Sequence, residues 1–155
     1  MAILEAGTPA PPFKLHVTPD QVLSSDELLG KRYVLAFYPA DFSPVCTDQL
    51  SVYQEVLPQL EEQGAKLVGV SVDGAFCHKA FQHHQGLTIP LLADFHPKGE
   101  VAKAYGVWSE QHGVSGRALV MVGPDAVVQW SYLSPPLEIP GANLIFDALE
   151  QRTPA

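Results

Sequence analysis

The sequence predicts an α/β fold, a central mixed sheet with helices on both faces. Three observations carry this. Short apolar runs of strand length alternate with helical patterns through the first half of the chain. Glycines (Gly64, Gly86, Gly106) stand where those helical patterns stop. Near the C-terminus two strand-like runs flank Gly-Pro-Asp-Ala at residues 123–126, a hairpin signal. Alternation implies parallel strands joined by helical crossovers, and the hairpin adds antiparallel pairing. At 155 residues the chain is expected to form one domain, with a Pro-rich lead-in over 1–12 and a tail over 151–155.

Residues 13–17 alternate weakly and read as an edge strand, and 18–31 read as a turn-rich connection ending at Gly30. Residues 33–38 (YVLAFY) are continuously apolar or aromatic, the pattern of a strand covered on both sides. A helix follows over about 45–63, with Leu50, Tyr53, Leu57 and Leu60 three or four apart. Pro58 is expected to kink or split it near residues 54–58. Then come a buried strand at 66–72, a helix at 75–85, a short strand at 89–92 and a helix at 98–105. Strands at 118–122 and 127–132 and a helix at 143–150 complete the chain.

The chemistry centres on Cys46. The strand at 33–38 ends at Pro39, a tight loop follows, and the helical pattern begins at about Cys46. A thiol in the first turn of a helix meets free N–H groups and the positive end of the helix dipole. It loses its proton more easily there, and the thiolate is the reactive form. In such sheets functional groups gather at the carboxyl ends of the strands, where this loop lies.

Composition narrows the function. Nine basic residues against seventeen acidic give a formal net charge of −8, with no basic cluster, so nucleic acid is not an expected partner. No apolar run approaches membrane-spanning length and the N-terminus lacks a signal-peptide pattern, so a cytoplasmic location is expected. No phosphate-binding glycine motif is present, and no cofactor is expected. His78, His83 and His84 invite a metal reading. However, His78 and His83 would stand about 140° apart around a helix and His83 and His84 about 100°, so no metal site is expected. The two cysteines, Cys46 and Cys77, form no C-x-x-C pair, and in a cytosolic chain they are redox-active or unrelated rather than a structural staple.

Pro39, Ser43 and Cys46 form P-x-x-x-S-x-x-C, which resembles the peroxiredoxin signature P-x-x-x-(T/S)-x-x-C. The similarity runs from about residue 12 to about residue 130. The stretch 71–108 is similar to the alkyl hydroperoxide reductase E and bacterioferritin-comigratory (Q-type) branches. Gln49 stands where many relatives carry glutamate. The resemblance implies a thioredoxin-like fold and a thiol-dependent peroxidase acting on hydrogen peroxide and small alkyl hydroperoxides. Cys46 would be the peroxidatic nucleophile. Arg117, at the mouth of a predicted strand, would be the catalytic arginine, with Ser43 and Pro39 completing the site. The N–H groups of Val45 and Cys46 would supply further donors. Arginine suits the task because it keeps its charge and offers a rigid donor fork.

The oxidised Cys46 would be a sulfenic acid. Cys77 is the candidate resolving cysteine, although it lies earlier in its helix than that pattern has it. Ser51 stands where the Q-type branch often carries one. Otherwise a thioredoxin-like protein or a low-molecular-weight thiol would resolve Cys46 directly. The E-type branch suggests a homodimer and the Q-type a monomer. Three rivals stand beside the peroxidase: a cysteine hydrolase with a histidine base, a peroxide sensor, and a thiol–disulfide exchange module without sustained turnover.

Overall fold

The computed structural model describes residues 2–152. In chain order the elements are β1 (Lys14–Thr18), β2 (Gln21–Ser24), a 3-10 turn (Ser25–Leu28), β3 (Arg32–Phe37), α1 (Pro44–Glu62), β4 (Ala65–Ser71) and α2 (Ala75–Gln85). They continue with β5 (Leu91–Ala93), α3 (Glu100–Ala104), β6 (Trp108–Ser109), β7 (Val114–Ser115), β8 (Ala118–Val122), β9 (Val128–Leu133) and α4 (Ala142–Arg152). The main sheet has the order β2-β1-β5-β4-β3-β8-β9. β3, β4 and β5 run parallel, as alternation predicts, while β1, β8 and β9 join antiparallel to their inner neighbours.

β3 lies in the middle, and this explains its unbroken apolar run. Val34 and Ala36, with Tyr38 just beyond the strand, face one layer, which holds Leu50, Tyr53, Leu57 and Leu60 of α1, Phe81 of α2 and Ile145 of α4. Tyr33, Leu35 and Phe37 face the other, against Phe13, Leu28 and α3 residues Val101 and Ala102. Helices therefore cover both faces. The 3-4-3 spacing of the α1 residues makes a single apolar stripe, and burying that stripe against the sheet supplies most of the helix's stability.

Three elements differ from the sequence-based expectation. β1 is not an edge: Gln21–Ser24 pairs outside it, so the supposed connection holds the true edge strand. Polar Gln21 and Ser24 hide that strand from an apolar-run criterion. Pro58 leaves α1 as one element. It lies on the exposed face, where water can satisfy the carbonyl that loses its partner. The β6–β7 hairpin, two residues per strand, is too short to show a period. At the C-terminus α4 continues through Gln151 and Arg152, and residues 153–155 of the expected tail lie outside the described residues. No helix among the described residues is long and apolar enough to cross a membrane.

Candidate active site

The site forms where β3 leaves the sheet. Residues 39–43 make a short loop, and Ser43 is the N-cap of α1, with extended backbone angles (φ −67°, ψ 146°). Its hydroxyl accepts from the Cys46 N–H at 3.4 Å, and its carbonyl accepts from the Thr47 N–H at 2.9 Å. Pro44 occupies the first helical position, where its missing N–H has no partner to lose. Cys46 thus sits in the first turn, as expected. Its N–H is engaged by the cap and is not a free donor for substrate. The cap is the observed role of Ser43, and its hydroxyl still carries a proton to donate.

Strand register brings Arg117 to this place. β8 pairs antiparallel with β3, with Ala118 opposite Phe37. The residue entering β8 therefore lies beside the residues leaving β3. Arg117 Nη1 donates to Cys46 Sγ at 3.3 Å and to Gln49 Oε1 at 2.6 Å, and Nε donates to the Pro136 carbonyl at 3.1 Å. The two hydrogens on Nη2 are not used in these three contacts. A chain of donors supports Gln49: its Nε2 donates to Tyr53 Oη at 3.1 Å, and Tyr53 donates to the Pro140 carbonyl at 2.6 Å. Burial pushes the Tyr53 phenol up to about 12, so it holds its proton as this chain requires.

Cys46 has no exposed surface and packs among Tyr38, Leu50 and Tyr53. The guanidinium beside the sulfur is itself only 3 % exposed. A cavity of about 530 Å³ opens beside the pair, and Pro39, Ser43, Val45 and Arg117 line it together with His112 and Leu137. The structure therefore gathers Pro39, Ser43, Cys46 and Arg117 in one place. An anionic sulfur here would face a fixed cation in a water-poor setting, where electrostatic interactions are strong.

Cys77 belongs to another cluster. Its thiol donates to Asp73 Oδ1 at 3.9 Å, and both cysteines are free thiols. Partial burial pushes the Cys77 thiol up to about 12, and the charges of Asp41 and Asp73 add to this. Asp41, Asp73 and Cys77 bring three ligand atoms within 4.8 Å of one another. Their carboxylates already have partners: Asp73 Oδ2 accepts from the Ser71 hydroxyl and the Asp41 N–H. Asp41 contacts Tyr38 and His78. The trio is thus accounted for as a hydrogen-bond network.

Sequence reasoning missed Asp41, His78 and Tyr53 as parts of this region, and it had no role for Gln49. The four-residue spacing of Gln49 and Tyr53 on one helix was the available signal for that pair.

A model of the AhpC/TSA family matches residues 6–131. The chain is 32 % identical over 152 residues to alkyl hydroperoxide reductase E of Mycobacterium tuberculosis, covering 97 % of this chain and 99 % of the relative. It is 34 % identical over 109 residues to a putative peroxiredoxin bcp of Coxiella burnetii, covering 70 % and 71 %. The crystal structure of Enterococcus faecalis AhpC superposes with a TM-score of 0.86 at 29 % identity, covering 94 % of this chain and 90 % of that one. With this similarity across almost its whole length, the chain belongs to the AhpC/TSA family, the peroxiredoxins, and is a thiol-dependent peroxidase.

Proposed function

We propose that the chain reduces hydrogen peroxide and small alkyl hydroperoxides at Cys46. The observation that carries this reading is the guanidinium of Arg117 at 3.3 Å from the sulfur. The Cys46 thiolate attacks the terminal oxygen of the peroxide, an S–O bond forms and the O–O bond breaks. Sulfur is oxidised by two electrons and the peroxide is reduced by two. The leaving oxygen departs as alkoxide or hydroxide and takes up a proton, giving alcohol or water and a Cys46 sulfenic acid. Charge moves from sulfur to that oxygen, and donors fixed before the reaction stabilise it without reorganising. Arg117 serves both ends, with Nη1 on the sulfur and Nη2 for the peroxide. Pro39 and Ser43 wall the cavity and hold the approach.

Peroxiredoxins draw on thioredoxin-like reductants. For this chain we assign resolution to an external thiol, either a thioredoxin-like protein or a small thiol. It would condense with the sulfenic acid, release water, and leave a mixed disulfide that a second thiol reduces. The support is the raised Cys77 thiol, since an attacking cysteine acts as its thiolate and Cys77 holds its proton. The test is peroxide consumption with dithiothreitol or a thioredoxin system, together with intact mass after one equivalent of peroxide. Cys46→Ser should abolish turnover, and Cys77→Ser should retain it and show one added oxygen on Cys46. Loss of two hydrogens in the parent, abolished by Cys77→Ser, would instead establish an internal disulfide.

A further inference from the structure

The loop that carries the cap of Cys46 is held from the far side by a buried group that the chemistry above does not use. The Asp41 N–H donates to Asp73 Oδ2 at 2.8 Å, and Tyr38 Oη donates to Asp41 Oδ1 at 2.6 Å. Asp41 Oδ2 lies 2.7 Å from His78 Nδ1, within hydrogen-bonding distance. His78 Nε2 donates to the Leu92 carbonyl at 3.0 Å, since a carbonyl can only accept. His78 is 1 % exposed and Asp41 8 %. A group so buried and so fully bonded fixes the backbone that bears it.

The next residue makes the loop unusual. Phe42 has φ +67°, the left-handed conformation that bulky side chains avoid. Its ring packs at 5.0 Å from Phe81 and 6.0 Å from His84, both on α2. The backbone is therefore held away from its relaxed geometry by contacts on both sides of the Asp41–Phe42 peptide. Ser43 and the first turn of α1 follow directly.

We propose that Asp41, His78 and Phe42 are positioning residues for peroxide reduction: they dock the 39–43 loop on α2 and so hold the Cys46 sulfur buried against Arg117. Releasing either anchor lets residue 42 relax, and the cap and first turn move with it. The sulfur then parts from the guanidinium and gains exposure. This inference rests on Cys46 being the peroxidatic residue.

The test uses full-length protein in a Cys77→Ser background, so that a single thiol reports. Two rates are measured: oxidation of Cys46 by hydrogen peroxide in one turnover, and labelling of Cys46 by a maleimide. Asp41→Asn and Phe42→Ala should slow oxidation by about tenfold or more, because a small misplacement of reacting groups is costly. The same two variants should speed labelling. Phe42→Tyr, which keeps the ring on Phe81, should restore both rates. Phe42 is 49 % exposed, so its variants provide folded protein even if Asp41→Asn does not. The proposal is overturned if both rates stay within about twofold of the background protein, or if both fall together. Failure of the background protein to react with peroxide would instead refute the role of Cys46, while labelling would still read the loop's hold on the sulfur.

Discussion

Arg117 Nη1 lies 3.3 Å from Cys46 Sγ across 71 residues of chain. The contact follows from antiparallel pairing of β8 with β3, which places the start of one beside the end of the other. The guanidinium is held at three points, by the sulfur, Gln49 and the Pro136 carbonyl, and so points one way before any substrate arrives.

Arg117→Lys tests the fork rather than the charge. An ammonium can reach the sulfur or Gln49 but cannot span sulfur, Gln49 and a peroxide oxygen in one plane. The rate of Cys46 oxidation should fall by about tenfold or more, and Arg117→Ala should cost about a hundredfold or more. Stopped-flow tryptophan fluorescence with hydrogen peroxide measures both. A lysine variant with the parent rate would show that charge alone suffices.

Gln49→Glu tests the direction of the donor chain. The Pro140 carbonyl only accepts, so it takes the Tyr53 proton, and the Tyr53 oxygen must accept from Gln49 Nε2. A carboxylate has no such hydrogen, and it would compete with the sulfur for the guanidinium. We expect slower oxidation of Cys46 together with a loss of about 1–3 kcal/mol in urea unfolding. Tyr53→Phe should give a similar loss of stability through the unpaired Pro140 carbonyl. Its effect on rate should be smaller, since no charge is added.

Ser43→Ala removes the cap and one donor at once, and Ser43→Thr removes neither. The alanine variant should lose about 1 kcal/mol of stability. If the hydroxyl also meets the peroxide, oxidation of Cys46 should slow by more than this loss accounts for, while the threonine variant keeps the parent rate. Rates and urea midpoints measured on the same three proteins separate the two roles.

The parts of the site legible in the sequence are those with local signals. Cys46 follows an apolar run, a proline and a capping serine, all within fourteen residues of one another. Apart from Arg32, Lys66 and Ser71, β3 and β4 carry only apolar and glycine residues because both faces are covered, so they stand out in the sequence. The edge strand Gln21–Ser24 and the β6–β7 hairpin carry no such pattern. The Tyr38–Asp41–His78 group was invisible for a different reason. Its partners come from a loop and from a helix 37 residues later, and only the parallel pairing of β3 with β4 brings them together. A family resemblance and its place before a strand point to Arg117, whereas the contact itself depends on register.

The last prediction concerns alkaline pH. Burial pushes Tyr33 and Tyr53 from 10.0 up to about 12. Cys77 is pushed from 9.0 to about 12, by burial first and then by Asp41 and Asp73. In each case the folded state favours the protonated form, so the unfolded chain releases its proton first. The stabilisation is complete below the unfolded value and is lost as pH rises towards the folded one. Stability should therefore decline from near pH 9, where Cys77 begins to matter, and more steeply above 10 as the tyrosines join. Urea midpoints from about pH 8 to about pH 11 give the curve. Cys77→Ser should remove the early part of the decline and leave the later part. An identical decline in parent and variant would mean that the Cys77 thiol titrates alike in the folded and unfolded chain.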